Sequence, residues 1–157
     1  MVKSCLVSIL PGMAQTEKLT DYVNPFVGTD GYGNVYPGAQ IPFGGIQISP
    51  DTDSRFYDAA SGYKYNHLTL MGFSLTHLSG TGIPDLGDFL FIPGTGEMKL
   101  EPGTHEDPDQ GYRSRYSHDK EWASPNYYAV ELADYGVKAE MTSGVRSGMF
   151  RFTYPES

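Results

Sequence analysis

The chain has 157 residues, with 11 Lys and Arg against 19 Asp and Glu and a formal net charge of −8. That length accommodates one ordinary domain with a buried core. The acidic balance excludes nucleic acid or an anionic membrane surface as the main partner, because both select basic patches.

At the start, Lys3 precedes a short apolar run from Cys5 to Leu10, and Gly12-Met13-Ala14 places small residues before Gln15. This pattern predicts a clipped secretory signal cut after Ala14, so residues 1–20 are read as leader and the product as periplasmic or secreted. The run falls far short of the roughly 20 residues a membrane-spanning helix needs, so no membrane span is expected. Cys5 is the single cysteine, which excludes an internal disulfide and a thiolate zinc site.

From Asp21 the chain divides into a turn-rich front and a strand-rich back. Between Asn24 and Pro50 the density of Gly and Pro excludes any helix interior. Ile46-Gln47-Ile48 predicts a one-pleat strand ended by Ser49-Pro50. Phe89 to Ile92 is a continuous apolar run, read as a strand covered on both faces. Glu97 to Leu100 and Tyr112 to Tyr116 are further candidate strands. Tyr128, Val130 and Leu132 alternate with polar or small neighbours, as do Val137, Ala139 and Met141 after Asp134-Tyr135-Gly136, which predicts a hairpin. Phe150, Phe152 and Tyr154 mark a third strand, and the three make a meander. No helix-length 3.6-residue pattern occurs. The fold class is therefore all-β, an antiparallel β-sandwich, and because the chain stops directly after a strand it is expected to be an incomplete portion of one.

Two loops carry the candidate chemistry. Gly28 to Asn34 is glycine-rich but runs into Tyr36-Pro37-Gly38 rather than a helix, so it lacks the amide nest of a phosphate cradle. Tyr32, Asn34 and Tyr36 instead offer ring faces, an amide and hydroxyls suited to sugars. The second loop, His77 to Asp88, gathers His77, Ser79, Gly80, Thr81, Asp85 and Asp88 ahead of the apolar run. A Ser-His-Asp triad needs mutual contact that sequence proximity does not supply. Asp85 and Asp88 lie too near each other for an inverting pair, whose carboxyls stand roughly 6.5–9.5 Å apart. Asp51-Thr52-Asp53 opens like an EF-hand loop, but Phe56 stands where Gly is required. The four histidines lack metal-site spacing and are read as structural. Arg113, Arg115, His118 and Trp122 could line a saccharide face or an ordinary solvated one.

Taken together the motifs resemble a known family. Tyr22-Val23-Asn24-Pro25-Phe26-Val27-Gly28-Thr29, Tyr36-Pro37-Gly38-Ala39, Ile41-Pro42-Phe43-Gly44 and Gln47-Ile48-Ser49-Pro50-Asp51-Thr52 resemble the amino-terminal region of glycoside hydrolase family 92, the calcium-dependent exo-α-mannosidases. Ser61-Gly62-Tyr63, Gly72 to Gly82, Asp85-Leu86-Gly87-Asp88, Tyr112 to His118 and Ala123 to Tyr128 continue it. Tyr32 and Asn34 stand where many members have histidines, Phe56 and Tyr57 where many have Trp, and Ile83-Pro84 where Cys-Ser is common.

The resemblance implies a galactose-mutarotase-like supersandwich over residues 21–157, followed in the family by an (α/α)6 helical domain, with the mannose pocket at their junction. Such enzymes remove terminal α-linked mannose from glycans, N-glycans and α-1,2 linkages included, by calcium-dependent inverting hydrolysis. In the family the acid, the base and most of the calcium environment come from the helical domain, which this chain lacks and would meet in cis or trans. No residue here is therefore assigned a catalytic or metal-ligating role. Tyr32, Asn34, Tyr36, His77, Ser79, Gly80, Thr81, Asp85 and Asp88 are the expected substrate contacts. A stand-alone carbohydrate-binding or interaction module, or a truncated product without function, is the alternative.

Overall fold

The computed structural model describes residues 17–53, 57–80 and 87–156. Among these residues ten strands follow in chain order: β1 Ala39–Gln40, β2 Gln47–Asp51, β3 Thr69–Leu70, β4 Gly72–Ser74, β5 Leu90–Phe91, β6 Ser114–Arg115, β7 Glu121–Ser124, β8 Tyr127–Leu132, β9 Val137–Ser143 and β10 Gly148–Thr153. The helical elements among the described residues are short 3-10 turns. One sheet has the order β1-β2-β4-β5, a second is the meander β10-β9-β8-β7, and β3 pairs with β6. All the pairings are antiparallel.

The back-half alternation produces its strands as expected, except that the last one ends at Thr153, before Tyr154. Tyr128, Val130 and Leu132 on β8 and Val137, Ala139 and Met141 on β9 are buried, and they meet Ala39, Ile48 and Phe73 of the first sheet in one core. Phe73 is fully enclosed, a position where truncation to Ala typically costs about 3–5 kcal/mol. Between β7 and β8 the loop is Pro125-Asn126, with Asn126 at φ 60. Proline followed by a positive-φ residue is the chemistry of a type II turn. The Asn126 amide also donates to the Ser143 carbonyl at 2.8 Å and accepts from the Ser143 N–H, tying the turn to β9.

Three expectations need correction. The strand at Ile46 does not stop at Ser49-Pro50, because β2 continues through Pro50, paired with Phe73, to Asp51. β1 has ended by then, so no neighbour on that side requires the donor that proline lacks. The run Phe89–Ile92 is not covered on both faces: β5 is only Leu90–Phe91, forms the edge of its sheet and leaves both side chains exposed. Glu97 to Leu100 is not a strand, whereas Glu121–Ser124, which showed no clear alternation, is.

Candidate functional site

β2 and β4 lie side by side, and His77 follows β4 closely enough for its ring to turn back over β2. Its Nδ1 lies 2.7 Å from the Gln47 carbonyl, which can only accept, so Nδ1 carries a proton. Nε2 lies 2.9 Å from Asp51 Oδ1 and 3.1 Å from Ser74 Oγ, while the Ser74 hydroxyl donates to Asp51 Oδ2 at 2.6 Å. His77 is 4% exposed and Asp51 5%. Burial alone would pull the imidazole down, but the charge and hydrogen bond of Asp51, joined by the Gln47 carbonyl, outweigh it and raise the His77 pKa above its ordinary value.

This trio contains the side chains of a hydrolase triad in the wrong arrangement. A working triad places nucleophile and carboxylate on opposite imidazole nitrogens. Here Ser74 and Asp51 share Nε2, and Ser74 is fully buried. The cluster is a brace beneath the loop. Gly62, at φ +85, closes over it, since an added Cβ there would lie 2.4 Å from Asp51 Oδ1.

Above the brace the two candidate loops meet. The Tyr36 ring packs on His77 with centroids 5.0 Å apart, and its hydroxyl donates to Gln40 at 2.7 Å. Burial raises the Tyr36 phenol, against the opposing effect of a hydrogen bond with Ser79. The Asn34 carbonyl accepts from the Gly80 N–H at 2.7 Å. Asn34 itself is 3% exposed at φ 47, and both polar atoms of its amide lack a hydrogen-bond partner. Thus Asn34, Tyr36, His77, Ser79 and Gly80 come together. Tyr32 is largely exposed, its ring 6.0 Å from the Lys64 ammonium. Asp88 is exposed and accepts from the Thr76 hydroxyl at 3.2 Å. Thr81 and Asp85 lie outside the described residues, as does Phe56 of the EF-hand test.

Residues 22–157 match the sequence profile described as the glycosyl hydrolase family 92 N-terminal domain. The chain belongs to glycoside hydrolase family 92. It is 30% identical over 138 residues to an uncharacterized secreted glycosidase of Arthroderma benhamiae, covering 87% of this chain and 17% of that protein. Among solved structures it is similar to the family 92 glycosyl hydrolase ccman5, with 32% identity and TM-score 0.71 over 87% of this chain and 19% of the other. The inverting mannosidase BT2199 from Bacteroides thetaiotaomicron VPI-5482 is similar at 25% identity and TM-score 0.63, over 90% of this chain and 19% of that one. The chain spans under a fifth of the length of these family 92 relatives.

Calcium, which family 92 implies, does not fit the described residues of this site. Asp51 has one oxygen on His77 and the other on Ser74, and no group of three or more acidic, His or Cys side chains among the described residues could hold an ion.

The residues that sequence reasoning missed are Asp51, Ser74 and Gln47, which hold His77. Asp51 drew notice only as a false EF-hand start, because the β2–β4 register that brings it to His77 is a tertiary fact. Arg113, Arg115, His118 and Trp122 do not share one solvated face. Arg113 is 2% exposed, its Nη1 donating to the Thr52 carbonyl at 2.6 Å. Arg115 forms ion pairs with Asp109 and Asp134 at 2.8 and 2.9 Å, and His118 stacks on Tyr65 while its Nδ1 contacts buried Glu121 at 2.6 Å. Only Trp122 of that set faces solvent without an ion pair or a carboxylate contact.

Proposed function

We propose that residues 21–157 form the amino-terminal β-sandwich portion of an exported α-mannosidase, which takes terminal α-linked mannose, including α-1,2-linked residues of N-glycans, from glycans by inverting hydrolysis. Alone the chain is non-catalytic. The general acid, the general base and the calcium ligands come from an (α/α)6 helical domain joined in cis or supplied in trans, and residues 1–20 serve as leader for a periplasmic or secreted product. Two likenesses support this: family membership, and similarity to a protein whose structure is described as an inverting mannosidase.

The observation that carries the reading is the buried Asp51–His77–Ser74 brace beneath the meeting point of the two loops. Its acid and base neutralise each other inside the fold, so they are removed from chemistry and instead support the Tyr36 ring beside Asn34, Ser79 and Gly80. An amide, a phenol, a hydroxyl and a backbone amide are sugar-binding groups rather than proton-transfer groups at neutral pH. In this reading Tyr32, Thr81, Asp85 and Asp88 are further substrate contacts.

The test is hydrolysis of an aryl α-mannoside by the purified chain, with and without calcium, beside the same chain joined to a family 92 helical domain. Turnover only in the joined, calcium-loaded protein is expected. Calcium-dependent turnover by the 157 residues alone would overturn the reading.

A further inference from the structure

The meander sheet turns its second face away from the core, and the polar side chains there are ordered by register. Glu131 on β8 lies opposite Lys138 on β9, and Lys138 opposite Thr153 on β10. Lys120, just before β7, reaches Glu131 at 2.5 Å. The row Lys120, Glu131, Lys138, Thr153 therefore crosses the sheet as ammonium, carboxylate, ammonium and hydroxyl, at a strand spacing of about 4.8 Å. It borders a cavity of about 580 Å³ that also takes in Tyr154, just after β10, and the volume falls in the range of small-ligand sites. Tyr154 is half-exposed, and Lys138 Nζ stands 5.6 Å from the ring centroid of Trp122.

We propose that this groove is a second saccharide subsite, built for a neutral oligosaccharide and sharing no residue with the loop cluster at His77. Each pyranose hydroxyl both donates and accepts, so it is matched by a row that alternates donors with an acceptor. Tyr154 supplies a ring face for the C–H side of the sugar. A phosphate or carboxylate ligand matches less well, because the Glu131 carboxylate stands between the two ammonium groups and already engages Lys120. The subsite does not depend on the mannosidase reading, since it needs no helical domain and no catalysis.

Trp122 is the chain's single tryptophan, and Lys138 both lines the groove and sits over its ring, so ligand entry alters one well-defined emission signal. The experiment titrates the full chain with α-1,6-mannotriose, cellotriose and inorganic phosphate, following Trp122 fluorescence. A saturable change in the millimolar range with at least one trisaccharide is expected, and none with phosphate. Tyr154→Ala and the near-isosteric Glu131→Gln should each raise the midpoint about tenfold. A response to phosphate alone, no saturable response to either trisaccharide, or midpoints unmoved by both variants would overturn the proposal. So would a response kept in Tyr154→Ala and lost in Tyr36→Ala, which assigns the sugar to the loop cluster instead.

Discussion

Nε2 of His77 lies 2.9 Å from Oδ1 of Asp51, and both side chains are buried. Asp51 ends β2 and His77 opens the loop after β4, so one ion pair clamps the end of a core strand to the base of the candidate binding loop. Because the His77 ring also supports Tyr36, the pair links the stability of the first sheet to the shape of both loops.

His77→Gln leaves Asp51 buried without its cation, a change that typically costs about 3–5 kcal/mol. The His77 pKa is raised on folding, so its contribution is fully present below the unfolded value of 6.5 and is lost as pH rises through the folded one. Urea unfolding across that interval should show the advantage of the parent chain over His77→Gln shrinking with rising pH. A difference that stays constant with pH would contradict the ion pair.

Gly62→Ala meets two penalties at once. Its φ of +85 is strained for any residue with a Cβ, and that atom would lie 2.4 Å from Asp51 Oδ1 and 3.0 Å from the His77 ring. A loss of about 1–3 kcal/mol is expected from the backbone conformation before the contact is counted. The denaturation midpoint of the variant should fall accordingly, and an unchanged midpoint would mean the brace can move aside.

A second buried carboxylate organises the other end of the core. Glu121 accepts from the Tyr63 hydroxyl at 2.9 Å and from the Tyr128 hydroxyl; burial, then the neighbouring charges of Tyr116 and Glu121 for Tyr63 and of Glu121 for Tyr128, pushes both phenols well above their ordinary range. Glu121→Ala strands these hydroxyls at about 1–3 kcal/mol each, whereas Glu121→Gln keeps one acceptor oxygen and should lose less. Thermal unfolding of the two variants checks the order.

On the outer face, Glu140 receives Arg151 Nε at 2.7 Å and Nη2 at 2.6 Å as well as the Tyr127 hydroxyl at 2.7 Å. The Arg151 hydrogen bonds, then that of Tyr127, lower its pKa from 4.5 to about 2. A depressed carboxyl stabilises the fold above its unfolded pKa and loses that effect as pH falls through the folded one. Carboxyl-carbon NMR should find Glu140 still ionised at pH 3.5, and Arg151→Met should move its titration part of the way back towards 4.5, with Tyr127 still holding it low.

The meander was legible from residue alternation alone, because a strand with one buried face records that face in every second residue, as Val137, Ala139 and Met141 do. β7 was not, since its inward Glu121 and outward Trp122 invert the usual pattern: the carboxylate is kept inside by tyrosine hydroxyls that arrive from elsewhere in the chain. Phe89 to Ile92 failed for the complementary reason, an apolar run at a sheet edge whose β5 side chains stay largely exposed.

By itself the sequence determined the all-β class, the three-strand meander and, through the motifs from Tyr22 to Tyr128, membership of family 92. These are properties of local periodicity and of ordered residue identities, both present in one dimension. Only the tertiary structure decided that His77 pairs with Asp51 and Ser74, that Arg113 is interior and that Lys120, Glu131, Lys138 and Thr153 form a row. Each of those depends on cross-strand register and burial, which set a side chain's partners and its charge, and register is fixed by the packing of the whole core.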